Sequence, residues 1–209
     1  MNDMDFMMST PHNPDDAIAE LLSGNQRYVA NRPEAGKIVV PGTTLATEHT
    51  PFVAVIRCAD ARVSPEIWFD QPVGRIFTCG VAGNIPTTEI VASLEYAVAV
   101  LKVPLIVVMG HTCCGAIGAA VNHHQDLSVL PGSLPALIGQ IIESNLDDLD
   151  FDAPEAIDTA IARNAVKGAE HLVRNSSVIA DAVAAGSLKV IAGVQDLASG
   201  EFSRCDHSS

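Results

Sequence analysis

Two short stretches of the chain combine thiols with groups that bind metals or carry charge. CADAR, residues 58–62, places a cysteine two positions before an aspartate and four before an arginine. GHTCCGA, residues 110–116, places a histidine beside two cysteines at the end of an apolar run. Such a group of residues is core filler, a redox pair, or part of a metal site with a further ligand elsewhere.

Cys58, His111 and Cys114 together have the composition of a catalytic metal site. Two thiolates and one imidazole leave the fourth position of a tetrahedral zinc ion open. The His-x-x-Cys spacing at a helix start predicts that both side chains lie on one side of the same turn. The helix N-terminus that follows favours a thiolate. Cys113 lies one position away, so we predict that it points elsewhere as a buried thiol without a ligand partner.

Two apolar strands must bring these ligands together. Residues 52–57 run directly into Cys58, and residues 104–109 run into His111. In open α/β sheets, sites form at the carboxyl ends of the parallel strands. We therefore expect the two stretches to meet at one edge of a sheet.

The rest of the chain alternates between helical and extended patterns. Helices are predicted at residues 13–33, at 86–103, from 115 onwards, at about 134–149, at 155–174 and in a shorter segment ending near 186. Further strands are predicted at residues 75–84 and in the tail, where a Ser-Gly turn at 199–200 leads into a short return strand. This order predicts an α/β fold: a central, mostly parallel sheet flanked by helices. We expect residues 1–209 to form a single domain, with residues 1–12 frayed and residues 13–33 forming an N-terminal helical arm.

Composition and charge narrow the range of functions. The formal net charge of −13 over 209 residues disfavours binding to nucleic acids or to anionic membrane surfaces. The longest apolar stretch, residues 97–109, is too short to span a bilayer and contains Lys102 and Pro104. The chain start has no basic segment before an apolar one, and five is an odd number of cysteines. We therefore expect reduced thiols and a cytoplasmic location.

The motifs and their order resemble the β-class carbonic anhydrases. CADAR follows one buried strand, GHTCCGA follows another about fifty residues later, and VAGN and SLEYAV lie between them. The resemblance covers roughly residues 17–200. It implies that Cys58, His111 and Cys114 bind Zn²⁺ and that Asp60 and Arg62 form a catalytic pair. The positions that line the pocket in that family fall on His49, Phe77, Ala82, Tyr96 and Gly115.

The resemblance implies the reversible hydration of carbon dioxide to bicarbonate through a hydroxide on zinc. It also implies a homodimer or tetramer in which the N-terminal helix reaches over the neighbouring subunit. Two alternatives remain open at this point. The same zinc site could hydrolyse carbonyl sulfide or carbon disulfide, or the chain could be a non-catalytic zinc or thiol module.

Three positions differ from the usual family pattern. Ala61 stands where serine is common, His49 stands where a glutamine commonly lines the pocket, and Gly80 stands where an arginine is usual. In the bicarbonate-regulated branch that arginine acts with a tryptophan, and here the tryptophan position is Val55. We therefore predict no regulatory bicarbonate site, and a resting form in which Asp60 pairs with Arg62 instead of occupying the metal.

Overall fold

A five-stranded sheet organises the computed structural model, which describes residues 10–35 and 49–205. Its strands are β1 (Val53–Arg57), β2 (Ile76–Gly80), β3 (Leu105–His111), β4 (Lys189–Gln195) and β5 (Phe202–Cys205). The spatial order is β2-β1-β3-β4-β5. The first four strands in this order are parallel, and β5 runs antiparallel to β4. The predicted α/β fold with a mostly parallel sheet is confirmed.

Seven α-helices in the described ranges flank the sheet. They are α1 (Pro14–Val29), α2 (Pro65–Trp68), α3 (Thr88–Ala99), α4 (Gly115–Asn122), α5 (Leu134–Asn145), α6 (Ala156–Asn175) and α7 (Ser177–Ala184). A short 3₁₀ turn covers Leu127–Val129. Within residues 10–35 and 49–205, no helix combines the length and apolarity that crossing a membrane requires.

Both faces of the sheet are buried, because successive side chains along each strand point alternately into two apolar cores. One core contains Ala54, Ile56, Ile106 and Val108 together with residues of α3, α6 and α7. The other contains Val53, Val55, Leu105 and Val107 together with residues of α1 and the region around α2. Strands covered on both sides read as continuous apolar runs, which is why β1 and β3 were recognisable in the sequence.

The N-terminal helix α1 packs on the sheet of its own chain. Its Ala17 and Leu21 are fully buried in the second core. Asn25 then ties the helix to distant parts of the fold: its Nδ2 donates to the carbonyl oxygens of Trp68 and Gly200. The helix ends at Val29, earlier than the predicted 13–33 segment. The prediction of frayed residues 1–12 falls mostly on residues 1–9, which lie outside the described residues.

The sheet places the two chemical motifs next to each other. β1 and β3 are parallel neighbours with Arg57 opposite Met109, so Cys58 leaves the sheet beside the end of β3. The strand β3 is longer than predicted and continues to His111, which pairs with Gln195 of β4. A third apolar core underlies this edge and includes Cys58 and Cys114 together with residues of α4, α5 and α6.

Several element boundaries differ from the sequence prediction. The four-residue helix α2 was not predicted, because four residues beginning with a proline are too short to show a helical period. The helix predicted at 134–149 ends at Asn145, and Asp148 takes a left-handed conformation with φ 61°. The strand predicted at 75–84 ends at Gly80, and residues 81–84 form a turn.

Candidate metal centre

Cys58, His111 and Cys114 converge at the carboxyl edge of the sheet. Their ligand atoms all lie within 4.8 Å of one another, and all three residues are buried. The sulfurs of Cys58 and Cys114 are 3.9 Å apart. Two thiolates on one tetrahedral zinc ion, with Zn–S bonds of about 2.3 Å, would be separated by roughly 3.8 Å. The cluster therefore has the dimensions of a zinc site, and no fourth His, Cys, Asp or Glu of the described residues belongs to it.

The His111 ring is oriented by its backbone contact. Its Nδ1 lies 2.9 Å from the carbonyl oxygen of Thr112, and a carbonyl only accepts, so Nδ1 carries the proton. The lone pair is then on Nε2. That atom is fully buried and has no hydrogen-bond partner among the described residues. A buried imidazole nitrogen without a partner is costly unless it binds a ligand, and a metal ion would satisfy it.

The Cys58 sulfur is the more acidic of the two thiols. The Cys114 thiol donates to it, and the backbone N–H of Gly83 also donates to it at 3.3 Å. These contacts lower the pKa of Cys58 to about 4, led by the contact with Cys114. The same contact raises the pKa of Cys114, because its proton is shared with the neighbouring thiolate. A metal ion that binds both sulfurs must displace that proton.

Gly83 belongs to the VAGN turn, and only glycine fits there. Its φ is +76°, and a Cβ would lie 2.6 Å from Cδ1 of Ile141. The carbonyl of Gly83 accepts a hydrogen bond of 2.9 Å from Nδ2 of the buried Asn164 on α6. The turn therefore presents its N–H group to Cys58 from a fixed position. The sequence showed VAGN as a motif but did not reveal that Asn164 holds it. A polar residue on the apolar face of a helix could have indicated such a buried hydrogen bond.

Backbone hydrogen bonds hold the VAGN turn to the CADAR turn. Val81 N–H donates to the carbonyl of Arg57 at 3.3 Å, and Ala59 N–H donates to the carbonyl of Val81 at 3.1 Å. Val81 also packs against two of the three apolar cores. These contacts hold the loop although Gly80 replaces the expected arginine.

Cys114 reaches the cluster by a different route from the predicted helical turn. His111 is the last residue of a strand, and Cys114 is the N-cap of α4, so the two are not neighbours on one helix. Between them Cys113 has a left-handed backbone with φ 57°. This reversal brings residue 114 back toward the sheet. The prediction that Cys113 is buried was wrong: its side chain is exposed, although it lies outside the cluster as expected.

Asp60 and Arg62 form a bidentate pair beside the cluster. Nε of Arg62 donates to Oδ1 of Asp60 at 3.0 Å, and Nη2 donates to Oδ2 at 2.7 Å. The backbone N–H of Arg62 also donates to Oδ1 at 2.9 Å. These bonds hold the pKa of Asp60 well below its usual range. Oδ2 of Asp60 lies 4.0 Å from Nε2 of His111, so the carboxylate faces the atoms that would bind a metal.

Arg62 is itself held by a residue that sequence reasoning did not select. Nε1 of Trp68, the only tryptophan in the chain, donates to the carbonyl of Arg62 at 3.0 Å. Nη2 of Arg62 also lies 3.4 Å from the carbonyl of Cys113, so the side chain connects the two turns. Arg62 thus joins Asp60, Trp68 and Cys113 in one set of contacts.

Three of the five predicted pocket residues form an aromatic row. The ring of Phe77 is 6.1 Å from His49 and 6.4 Å from Tyr96, centroid to centroid. Tyr96 is 48 % exposed, so the row reaches the protein surface. Ala82 is half-buried in the turn beside Gly83, and Gly115 opens α4 with free space where a Cβ would be.

The fold and the cluster define an α/β protein with a three-ligand metal site at the carboxyl edge of its sheet. Comparison with known proteins agrees with this class. The carbonic anhydrase family profile matches residues 53–202. Carbonic anhydrase 2 of Mycobacterium tuberculosis is 35 % identical over 196 residues, which cover 93 % of this chain and 94 % of that protein. The carbonic anhydrase of Mycolicibacterium smegmatis is 32 % identical, with coverage of 93 % and 95 %.

Solved structures show the same fold. The β-carbonic anhydrase CafA of Aspergillus fumigatus matches with a TM-score of 0.71 and 26 % identity over 92 % of each chain. A β-carbonic anhydrase of Sordaria macrospora, described as tetrameric, matches with a TM-score of 0.69 and 25 % identity, covering 92 % of this chain and 98 % of that one. The chain therefore belongs to the β-carbonic anhydrase family, whose members depend on zinc.

Proposed function

We propose that this chain interconverts carbon dioxide and bicarbonate, with zinc held by Cys58, His111 and Cys114. One observation carries the proposal. Three ligand atoms from distant parts of the chain meet within 4.8 Å, and one of them is a buried imidazole nitrogen without a hydrogen-bond partner in the described part of the chain. Membership of the family indicates which reaction is catalysed, and the distances among the three ligand atoms support the binding of a zinc ion.

Zinc, when bound, supplies a Lewis acid that makes a water molecule more acidic. Two thiolates cancel the charge of the ion, so the shift is smaller than in a site of three histidines. The surrounding residues must therefore do more of the work of favouring and orienting the reactive water. Asp60 is the nearest candidate, because its Oδ2 lies 4.0 Å from Nε2 of His111.

Asp60 acts as a hydrogen-bond acceptor and not as a general base that takes up the proton. Arg62 holds the pKa of Asp60 far below neutrality, so the carboxylate stays ionised and accepts a hydrogen bond from the reacting water. With its proton directed at Asp60, the water has an oxygen lone pair free to form the new bond to the carbon of carbon dioxide. One proton is released for each bicarbonate formed, and it leaves to the buffer. Because Arg62 occupies both oxygens of Asp60, it also keeps the carboxylate from binding the metal itself.

The aromatic row of His49, Phe77 and Tyr96, with Ala82 and Gly115 on the neighbouring turns, supports an apolar approach for a small gas. Val81 connects this row to the cluster, because it packs in the core that contacts Phe77 and in the core that contains Cys58. In this proposal the five positions line the path to the metal.

A homodimer or tetramer is supported by the edge of the sheet. β2 pairs with one strand only, and the elements around it carry four exposed apolar side chains. They are Ile67, Val73, Tyr96 and Val100. Association through this edge would cover them, and light scattering of the purified protein measures the resulting mass. The cluster needs reduced thiols, which supports a cytoplasmic location.

A metal analysis paired with two gas assays tests the function. The wild-type protein should bind one zinc per chain and acidify the medium rapidly when given carbon dioxide in a stopped-flow instrument. Carbonyl sulfide and carbon disulfide should release little sulfide by comparison. Cys114→Ser should lose zinc and activity together, because a hydroxyl is a poor replacement for a thiolate ligand.

The neighbouring thiol supplies the matched control. Cys113→Ser should keep both the zinc and the activity, since Cys113 is exposed and lies outside the cluster. Zinc binding without turnover of carbon dioxide would favour the non-catalytic module. Faster sulfide release than carbon dioxide hydration would assign the site to the sulfur analogues.

A further inference from the structure

We propose that Arg57 is a positioning residue for the metal centre: it fixes the peptide that follows the first ligand, Cys58. The inference rests on the proposed role of Cys58 as a zinc ligand. Arg57 is the last residue of β1, and its Nη1 donates to the carbonyl oxygen of Cys58 at 2.7 Å. A guanidinium bond of this length to a carbonyl is charge-assisted and stronger than a neutral hydrogen bond.

The peptide between Cys58 and Ala59 is held at both of its polar atoms. Its oxygen accepts from Arg57, and its N–H group, which belongs to Ala59, donates to the carbonyl of Val81 at 3.1 Å. A peptide is planar, so fixing both atoms fixes the plane. Because Cα of Cys58 lies in that plane, the plane restrains the point from which the Cys58 side chain leaves the backbone and the path of the chain toward Asp60.

The small residue at position 80 leaves room for the Arg57 side chain. Gly80 is the register partner of Arg57 on β2, and parallel partners present their side chains on the same face. A Cβ at Gly80 would lie 3.5 Å from Cζ of Arg57 and 3.7 Å from Nε and Nη2. The guanidinium therefore lies across the glycine, in the space that a longer side chain at position 80 would enter.

The guanidinium of Arg57 makes no ion pair in the described part of the chain. Among residues 10–35 and 49–205, no carboxylate oxygen lies within 4.0 Å of it, whereas Arg27 and Arg62 both pair with aspartates. The resemblance to the family leads one to expect an arginine at position 80. In this chain an arginine stands directly across the strand pair, at position 57 of β1, and position 80 holds glycine.

The first test removes the guanidinium and reads out the metal. Arg57→Gly should weaken zinc binding, measured by competition with a chelator, by about 10- to 100-fold, the usual effect of losing a group that orients a ligand. The cobalt-substituted variant should also show a shifted d–d absorption spectrum, because one thiolate ligand changes direction. Thermal unfolding of the metal-free proteins shows whether the variant folds.

The second test moves the arginine to the other strand. Gly80→Arg alone should also weaken zinc binding, because two guanidinium groups then compete for one space. The double variant Arg57→Gly/Gly80→Arg should recover most of the affinity and the wild-type cobalt spectrum. Gly80→Ala should behave as wild type, since the added methyl group would make only ordinary contacts.

Arg204→Gly is a matched control, because Arg204 is an exposed arginine that also faces a glycine, Gly193, on the neighbouring strand. It should leave the zinc affinity unchanged. The proposal is overturned if Arg57→Gly binds zinc as tightly as wild type, or if the double variant is no better than Arg57→Gly. Failure of the wild-type protein to bind zinc or cobalt would instead overturn the proposed function.

Discussion

Two aspartates, Asp60 and Asp70, use the same chemistry for different purposes. Each pairs with an arginine, and each has a pKa below its usual value. The partner of Asp60 is Arg62, two residues away. The partner of Asp70 is Arg27, 43 residues away on α1. The side chain of Asp70 is 2 % exposed, whereas that of Asp60 is 19 % exposed and its arginine 56 % exposed.

The difference lies in what each pair connects. Asp70 accepts hydrogen bonds from Arg27 and from the backbone N–H groups of Glu34 and Ala35, so it fixes the end of α1 and the residues that follow it. Among the residues that the structure describes, Asp60 accepts hydrogen bonds from its near neighbour Arg62 alone, which orients it while leaving it close to His111. A long-range buried pair holds the fold together, and a local exposed pair aims a carboxylate at a site.

The largest expected effect is on activity, from Asp60→Asn. The amide cannot accept hydrogen bonds at both of its terminal atoms as the carboxylate does, so it orients the reacting water poorly. We expect kcat for carbon dioxide hydration to fall by about 100-fold, the loss that follows from misplacing a reacting group. Zinc content and the thermal midpoint should change little, because an exposed pair adds little to stability.

Asp126→Asn is the matched control for this variant. Asp126 also has a lowered pKa, caused by hydrogen bonds from Ser128, but it caps a 3₁₀ turn away from the cluster. It should retain wild-type kcat. If Asp60→Asn also retained it, Asp60 would be a surface residue and the contrast with Asp70 would disappear.

The next effect is on stability, from Asp70→Asn. The substitution leaves Arg27 and two backbone N–H groups without their charged acceptor in a buried place. We expect a loss of about 2–3 kcal/mol in the free energy of unfolding, measured with urea at pH 7. The activity per folded molecule should remain near wild type. Asp15, like Arg27, lies on α1, and Asp15→Asn breaks only an exposed pair with Lys189 of β4, so it should cost nothing measurable.

The pH dependence of this stability follows from the direction of the pKa shift. Burial raises the pKa of Asp70, but Arg27 and the two N–H groups outweigh it, and the pKa is lowered on balance. The contribution is therefore complete above the unfolded value of about 3.9 and is lost as the pH falls from there through the folded value. The stability difference between wild type and Asp70→Asn should be constant near neutrality and shrink in acid. A difference that grew in acid would contradict the assignment.

The sequence was sufficient to predict the sheet and the clustering of Cys58 with His111 and Cys114. The apolar runs 52–56 and 105–109 form most of β1 and β3, and each is followed within two residues by one with a metal-binding side chain. Two parallel neighbouring strands end at the same edge, so Cys58 and His111 could be placed together without a structure. The local pairing of Asp60 with Arg62 could also be anticipated, since the two residues are only two positions apart.

The supporting contacts could not be predicted, because they depend on register and on backbone conformation. Whether Arg57 lies across Gly80 depends on which residue of β2 faces the end of β1. The bond from Trp68 to Arg62 requires a helix of four residues that has no visible period. The position of Cys114 depends on the left-handed residue before it, which the His-x-x-Cys spacing alone made look like an ordinary helical turn.

The smallest expected effect is on stability, from replacing the left-handed residue Cys113 with glycine. A non-glycine residue at φ 57° costs about 1 kcal/mol of folding free energy. Cys113 does not belong to the metal cluster, so metal binding by its thiol does not offset this cost. Cys113→Gly should therefore stabilise the protein by at most about 0.5 kcal/mol in urea unfolding, because the greater freedom of glycine in the unfolded chain offsets part of the gain. Cys113→Ala, which removes the thiol but keeps the Cβ, should give no such gain. The carbonyl of residue 113 still accepts from Arg62 in both variants, so kcat should remain unchanged. A loss of activity in Cys113→Gly alone would show that the rigidity of this turn, as well as the grip of Arg62, keeps Asp60 in place.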